Sequence, residues 1–277
     1  MTTLDFRKMH GLGNDFVVLD GRDRVIHVTP EIARAIGDRH SGVGFDQLIV
    51  LERPRDPASA VFMRIFNADG SEAGACGNAT RCVAALVMDE TGERKLGIET
   101  ISGLLPASRA PGGLITVDMG AARLRWRDIP LAEHFDTLAV PVGIEGLGDA
   151  CCTNMGNPHA TFFVPDADAI DLARLGPILE HRPLFPERAN IGIASLLGPD
   201  RLRLRVWERG VGLTLACGSG ACAGLVAAAR RGLTGRSAEI VMERGSLAIS
   251  WDKNGHVLMT GPVATSFTGT LDLASLA

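Results

Sequence analysis

Hydrophobic and polar residues alternate in some segments of the chain and follow a helical period in others. Residues 61–66 (VFMRIF) and 201–207 (RLRLRVW) alternate as half-buried β-strands do. Residues 29–39 (TPEIARAIGDR) have helical spacing, and we expect Thr29 to cap that helix with Pro30 at its first position. Residues 170–182 (IDLARLGPILEHR) also predict a helix, which Pro177 should kink or split. The chain is therefore of the mixed α/β class.

Two further helical segments are apolar on most sides. They cover residues 79–90 (ATRCVAALVMDE) and 220–231 (GACAGLVAAARR), and each follows an Ala-Cys-Gly turn. A helix without a polar face is normally enclosed by the rest of its domain. We therefore expect strands to wrap around each of these helices, with Cys76 and Cys217 beside the two helix N-termini.

The two halves of the chain repeat a series of motifs. GNDFVVLD (13–20), FDQLIVLE (45–52) and MRIFNADG (63–70) resemble GNPHATFFV (156–164), ANIGIASLL (189–197) and LRVWERG (204–210). Asn14 precedes Cys76 by 62 positions, and Asn157 precedes Cys217 by 60. We predict two similar domains, residues 1–122 with a returning C-terminal strand (264–277), and residues 123–263, with the active site in the cleft between them.

Composition limits the classes of partner. The 277 residues carry a net charge of −4, which gives no reason to expect nucleic acid or an anionic membrane. The N-terminal residues lack an apolar signal segment, so a cytoplasmic protein is expected. The six cysteines contain no C-x-x-C pair, and no metal is expected. We interpret Cys82 and Cys222 as core residues and give Cys151 and Cys152 no role.

The two turns suggest a reaction. A helix N-terminus should lower the pKa of an adjacent thiol, and its free N–H groups bind carboxylates. Two thiols on opposite faces of one carbon could invert it, one removing the α-proton and the other delivering a proton. No cofactor is needed. The lysines, Lys8, Lys95 and Lys253, lie outside the repeated motifs, where a Schiff-base lysine would be expected.

Over nearly its whole length the chain resembles the diaminopimelate epimerases. The resemblance rests on GLGNDFVVLD, FNADGSEAGACGNATRC, GNPHATFFV and ERGVGLTLACGSGACA, which follow the family's order and spacing. It implies two similar α/β domains, each a curled, mostly antiparallel sheet around a central helix. It also implies a homodimer that interconverts LL- and meso-diaminopimelate without a cofactor, on the route to lysine and peptidoglycan.

The resemblance also assigns roles to residues. Cys76 and Cys217 are implied to be the acid–base pair, with His159 and Glu208 supporting them. The implied substrate-binding positions are Asn14, Gln47, Asn67, Gly77, Asn78, Asn157, Asn190, Glu208, Arg209, Gly218 and Ser219. The second carboxylate of such a substrate suits a bidentate arginine such as Arg209. Ala79 and Ser219 replace the commoner Gly and Thr, which affects only the fine geometry of the turns.

Three other functions remain open at this stage. A proline or hydroxyproline racemase of similar fold would use the same two thiols, but Arg209 would then be surplus. An acyl-transfer enzyme would need one cysteine and a base such as His159, which leaves the second cysteine unexplained. A thiol redox protein would pair Cys76 with Cys217 during turnover.

Overall fold

A computed structural model describes residues 3–272 of the chain. The fold divides into two compact units, Met1–Val117 with Gly261–Ala277, and Asp118–Thr260. We call them unit 1 and unit 2. Of the C-terminal strand predicted over 264–277, residues 273–277 lie outside the described residues.

Unit 1 is built from strands, two helices and a short 3₁₀ turn. Its elements are β1 (Thr3–Gly11), β2 (Asn14–Asp20), α1 (Pro30–Gly37), β3 (Gln47–Glu52), β4 (Val61–Asn67), β5 (Glu72–Ala73), α2 (Gly77–Thr91), β6 (Lys95–Thr100), β7 (Gly103–Arg109), a 3₁₀ turn (Pro111–Gly113), β8 (Ile115–Ala121, which runs past the unit boundary) and, at the C-terminus, β17 (Ala264–Asp272). Pairing follows the order β17-β1-β2-β3-β4-β6-β7-β8, with β5 also on β4. It is antiparallel except between β2 and β3 and between β4 and β6.

Unit 2 repeats this plan. Its elements are β9 (Cys151–Asn154), β10 (Pro158–Phe163), α3 (Leu172–Glu180), β11 (Asn190–Gly198), β12 (Arg201–Glu208), β13 (Gly212–Thr214), α4 (Gly218–Arg230), β14 (Ser237–Met242), β15 (Gly245–Trp251) and β16 (His256–Gly261). The order is β9-β10-β11-β12-β14-β15-β16, with β13 on β12. The two parallel pairs, β10 with β11 and β12 with β14, occupy the positions that their counterparts have in unit 1.

The sequence repeat extends to the register of the strands. Phe16 lies opposite Gln47 in the parallel pair of unit 1, and His159 lies opposite Asn190 in that of unit 2. The repeated motifs align Phe16 with His159 and Gln47 with Asn190. The predicted fold class, with two repeats of a mostly antiparallel sheet and a central helix, is confirmed.

The helices predicted at α1 and at the two apolar segments are confirmed. Thr29 Oγ1 accepts a hydrogen bond from Ile32 N–H at 3.3 Å, and Pro30 is the first helical residue. In α2 all residues from Gly77 to Met88 are buried, and α4 packs on six strands of its own unit, from β9 to β15. Each apolar helix is thus enclosed, as its lack of a polar face predicts. Across the described residues, none of the helices combines the length and apolar character needed to cross a membrane.

Pro177 does not split its helix, which was one of the two outcomes predicted from the sequence. It lies within α3, which is continuous from Leu172 to Glu180 and is capped by Asp171, whose carboxylate accepts from Arg174 N–H at 3.1 Å. In a helix of nine residues the proline removes one backbone hydrogen bond, and packing against the sheet stabilises the remaining turns.

Gly176 in α3 packs closely against Trp207 in β12. A Cβ atom added there would lie 2.3 Å from Cδ2 of the Trp207 ring. Gly176→Ala should therefore lower the free energy of unfolding by about 2 kcal/mol, because overpacking outweighs the better helix propensity of alanine. Denaturant unfolding measures this. Gly198→Ala is the control, since its new Cβ would meet nothing within 4 Å, and an equal loss there would contradict the account.

Candidate functional site

Each repeated cysteine lies directly before a buried helix. Cys76 is the N-cap residue of α2 and Cys217 that of α4, both with extended backbone geometry. Strand geometry up to the cysteine and helical geometry after it place the positive end of the helix dipole, which favours anions, beside each thiol. The prediction that both thiols stand at helix N-termini is confirmed.

In unit 1 two asparagines lie beside Cys76. Asn14, the first residue of β2, accepts through Oδ1 a hydrogen bond from Asn78 Nδ2 at 3.1 Å. The same oxygen lies 3.9 Å from Cys76 Sγ, at the limit for a thiol donor. The side-chain oxygen of Asn14 therefore contacts both Cys76 and Asn78, and all three are predicted site residues.

Gln47 and Asn67 form a second pair in this unit, because the register of β3 and β4 places them opposite each other. Gln47 Nε2 donates to Asn67 Oδ1 at 3.1 Å, and Asn67 Nδ2 donates to Ser71 Oγ at 3.1 Å. Gln47 Oε1 is buried, and within the described chain it has no hydrogen-bond partner. It can accept a hydrogen bond from a bound ammonium or amide.

A group of charged residues supports Asn14, and the sequence analysis missed it. Asp46 accepts from Asn14 Nδ2 at 2.8 Å and from Arg39 at 2.9 Å, and Asp15 pairs with Arg39 and with the buried Lys8. A carboxylate only accepts, so Asn14 must turn its nitrogen toward Asp46 and its oxygen toward Cys76. The position of Asp46 directly before Gln47 is a signal that could have been used.

The pKa of Asp15 is lowered to about 2. Burial by itself would raise the pKa, but hydrogen bonds from Arg39 and Lys8 outweigh it. A depressed carboxyl pKa contributes stability that is present above the ordinary value of 3.8 and is lost as the pH falls through about 2.

Asp15→Asn should remove this contribution, which we put at about 2 kcal/mol near neutral pH. The variant should start less stable and lose less stability than the parent chain as the pH falls toward about 2. Denaturant unfolding across that range measures the effect. Asp23→Asn, at a fully exposed carboxylate, is the control and should follow the parent curve. Parallel curves for the Asp15 variant and the parent would contradict the assignment.

In unit 2 the sulfur of Cys217 caps its helix. Sγ accepts from Gly220 N–H at 3.4 Å and lies 3.6 Å from Ser219 Oγ. The position after Ser219 requires glycine, since a Cβ at Gly220 would lie 2.9 Å from Val206 Cγ2 and 3.2 Å from Sγ. The equivalent residue in unit 1 is Ala79, and Cys76 makes no side-chain cap hydrogen bond. The two thiols therefore have different surroundings.

The pKa of Cys217 is shifted upward, against the expectation from its helix N-terminus. Burial raises the pKa well above its ordinary value, and the negative charge of Glu208 raises it further. Hydrogen bonds from Ser219 and from Gly220 N–H act in the opposite direction but are outweighed. The low pKa expected from the helix N-terminus is therefore wrong for Cys217, because burial and the neighbouring carboxylate outweigh the effect of the helix. Cys217 is a protonated thiol at neutral pH.

His159 is buried and neutral. Burial, with the positive charge of Arg209 adding to it, lowers its pKa to about 3. Nε2 lies 2.9 Å from Asn157 Oδ1 and 3.1 Å from Ser219 Oγ. The amide oxygen only accepts, so the Nε2 atom carries the hydrogen. This imidazole links the start of β10 to the start of α4 and holds no positive charge near the thiol.

Glu208 is the last residue of β12 and Arg209 follows it, and both have partners within unit 2. Glu208 Oε1 accepts from Thr214 Oγ1 at 2.6 Å, and its carboxylate also acts on Cys217. Arg209 Nη1 donates to the Glu187 carbonyl at 2.9 Å, which leaves other guanidinium N–H groups for a ligand. Thr214 was missed by the sequence analysis, because only the turn between β12 and β13 brings it to Glu208.

Asn190 is placed differently from the other predicted site amides. It is 2% exposed, and its Nδ2 donates to the Pro158 carbonyl at 2.9 Å. Its Oδ1 accepts from Arg209 N–H at 2.9 Å. Both ends of the amide are thus joined to the backbone around the site.

The remaining cysteines are fully buried. Cys82 and Cys222 lie inside α2 and α4, as predicted, and burial raises the pKa of Cys82 to about 12. Cys151 and Cys152 begin β9, where the Arg230 guanidinium lies 3.6 Å from Cys151 Sγ. Among residues 3–272, no three His, Cys, Asp or Glu side chains are grouped so that they could hold a metal ion.

Comparison with known proteins identifies the family. The sequence model of the diaminopimelate epimerases matches residues 6–125 and 151–266, which include both cysteine turns. The chain belongs to the diaminopimelate epimerase family. The diaminopimelate epimerase of Rhodospirillum centenum is 63% identical over 96% of this chain and 91% of its own length. That of Acidiphilium cryptum is 60% identical over 98% of both chains. The chain is thus an amino-acid epimerase of this family.

Solved structures share the fold at low identity. A hydroxyproline epimerase from Agrobacterium vitis superposes with a TM-score of 0.69 at 16% identity, covering 98% of this chain and 91% of that one. A probable proline racemase from Agrobacterium radiobacter gives a TM-score of 0.71 at 16% identity, covering 98% and 93%. These likenesses establish the same fold for the diaminopimelate epimerase chain, whereas its family rests on the close relatives.

Proposed function

We propose that this chain interconverts LL- and meso-diaminopimelate by a two-base mechanism that requires no cofactor, at a site between the predicted domains 1–122 with 264–277 and 123–263. The observation that carries the proposal is the pair of equivalent helix starts, each with a thiol as its N-cap residue. A reaction that inverts one carbon needs a base on one face and an acid on the other. Two repeats of one motif supply both.

The proton steps balance with these two groups alone. A thiolate removes the α-proton, which breaks the Cα–H bond and leaves the electron pair on carbon. The opposite thiol then protonates the other face, so the two sulfurs exchange protonation states. The raised pKa of Cys217 supports its role as the donor when Cys76 is the base. The reverse reaction exchanges the roles.

The start of each helix suits the reacting α-carboxylate. The first backbone N–H groups of the two helices, at Gly77 and Asn78 in α2 and at Gly218 and Ser219 in α4, lie at the positive end of each helix dipole. They would stabilise the negative charge that develops as the α-proton leaves. Asn14 and Asn157 would orient the zwitterion from the two repeats.

The second amino-acid centre of diaminopimelate needs to be held without reacting. Arg209 suits its carboxylate, because a guanidinium binds a carboxylate with two parallel hydrogen bonds. Glu208 suits an ammonium, and the buried Oε1 of Gln47 provides a further acceptor. Asn67 and Asn190 complete the set of amides. His159 supports Ser219, and a neutral imidazole there leaves the thiol chemistry to the cysteines.

Incubation with LL-diaminopimelate in deuterated water tests the proposal. We expect meso-diaminopimelate with one deuterium, at the inverted α-carbon only, because the incoming proton derives from solvent-exchanged thiol. L-proline and hydroxyproline serve as comparison substrates. Inversion of proline in preference to diaminopimelate would support a racemase of the related kind. Turnover only with an oxidised cysteine pair would support a redox protein, and a trapped acyl-enzyme would support acyl transfer.

We further propose that the enzyme is a cytoplasmic homodimer that binds a small molecule, with no nucleic-acid or membrane partner, in lysine and peptidoglycan precursor synthesis. These points rest on the family resemblance and on the composition. Light scattering of the purified chain measures its oligomeric state, and a monomeric mass with full activity would contradict the homodimer.

A further inference from the structure

Glu180 is a buried carboxylate that the proposed reaction does not use. It is the last residue of α3, and its side chain is 4% exposed. Oε2 accepts from the Trp207 indole N–H at 2.7 Å, and Oε1 accepts from Gly210 N–H at 2.9 Å. The Arg188 guanidinium lies 3.3 Å from Oε1. A buried charge persists only where hydrogen bonds compensate for lost water, and here both oxygens are used.

The bond to Gly210 places Glu180 directly behind Arg209. The two backbone N–H groups that follow Glu208 are both held by buried side-chain oxygens, Arg209 N–H by Asn190 and Gly210 N–H by Glu180. The backbone of the turn that carries Arg209 is therefore fixed from the interior of unit 2. Loss of one acceptor would leave a backbone donor unsatisfied and release the turn.

Glu180 also reaches the guanidinium of Arg209 by a second route. The Glu187 carbonyl accepts from Arg209 Nη1 at 2.9 Å and so orients the guanidinium plane. The next residue, Arg188, has a φ of 59° and pairs with Glu180. One carboxylate thus holds both the backbone of Arg209 and the segment that orients its side chain.

We propose that Glu180 is a positioning residue for Arg209, and that through it the enzyme favours substrates with a second carboxylate. The inference rests on the proposed function, in which Arg209 binds that carboxylate. A bidentate arginine contact depends on angle as well as distance, so small displacements of the turn weaken it. The reacting α-carbon contacts neither group, so its chemistry should change less.

The test compares diaminopimelate with lysine, which is the same molecule without the second carboxylate. Exchange of the α-proton is measured for both in deuterated water. In Glu180→Gln one of the N–H donors faces an amide NH₂ group, and we expect the diaminopimelate-to-lysine ratio of kcat/KM to fall about tenfold or more. The fall should lie mainly in the KM for diaminopimelate. Arg209→Lys should reproduce it, and Glu180→Ala should exceed it.

Two control variants separate positioning from general destabilisation. Asp171→Ala removes the N-cap of the same helix, and Trp207→Phe removes the indole donor to Glu180 while leaving its bond to Gly210. Both should keep the ratio even if Tm falls. A ratio that is unchanged in Glu180→Gln and Glu180→Ala, or activity that falls equally on both substrates, would overturn the inference. Failure of the unaltered enzyme to exchange the α-proton of diaminopimelate would instead overturn the proposed function.

Discussion

Replacing either Cys76 or Cys217 by alanine should lower the rate of epimerisation by about 10³-fold or more, since general acid or base catalysis by one group contributes up to about 10⁴. The remaining thiol lies on one face of the carbon only. Each variant should therefore still exchange the α-proton slowly from one epimer, and the two variants should act on opposite epimers. Chiral chromatography with mass detection of deuterium measures both effects.

The matched controls are the two core cysteines. Cys82→Ala and Cys222→Ala remove the same atoms from the interiors of α2 and α4, five or six residues from the catalytic positions. They should reduce stability and leave the rate per folded molecule nearly unchanged. Cys→Ser at the catalytic positions should preserve the fold and still abolish turnover, because a hydroxyl is a far weaker acid. Near-normal activity in either catalytic alanine variant would exclude the two-base scheme.

Replacing Glu208 by glutamine should have the second largest effect. Burial is the main cause of the raised pKa of Cys217, and the Glu208 carboxylate raises that pKa further. The same carboxylate is the proposed partner of a substrate ammonium. Its neutralisation should lower kcat/KM by about 10- to 100-fold, as expected for the loss of one hydrogen bond to a charged group. The thiolate fraction of Cys217 at mildly alkaline pH should rise, because one cause of its high pKa is removed.

The ultraviolet absorbance of the thiolate, titrated against pH, measures this shift when each spectrum is corrected with the matching Cys217→Ser variant. Thr214→Val is the control, since it removes the 2.6 Å hydrogen bond to Glu208 and keeps the negative charge. Its titration should stay close to that of the parent. A Glu208→Gln titration that coincides with the parent, or shifts to higher pH, would show that the carboxylate does not act on the thiol.

Local signals in the sequence were sufficient to predict the helices that follow the two thiols. The apolar character of residues 79–90 and 220–231 predicted buried helices, and Thr29 with Pro30 predicted the start of α1. The repeated motifs also align residues that occupy equivalent register positions, as the pairs Phe16–Gln47 and His159–Asn190 show. Each of these follows from periodicity or from spacing along the chain, which a sequence contains directly.

Features that depend on burial and on contacts between distant segments could not be predicted in the same way. The helix N-terminus suggested a low pKa at Cys217, but burial and Glu208 reverse the shift. Pro177 suggested a kinked or split helix, and packing keeps the short α3 continuous through it. Glu180 appears in the sequence as one acidic residue in an amphipathic segment. Its importance is visible only once the fold places Gly210, which is 30 positions away, against its carboxylate.

The most direct test of the two-base site is a crystal structure with an α-substituted diaminopimelate analogue bound. The account predicts both sulfur atoms within about 3–4 Å of the α-carbon, one on each face, with the α-carboxylate between the starts of α2 and α4. An analogue bound with only one of Cys76 and Cys217 near the α-carbon, or with both on the same face, would contradict it.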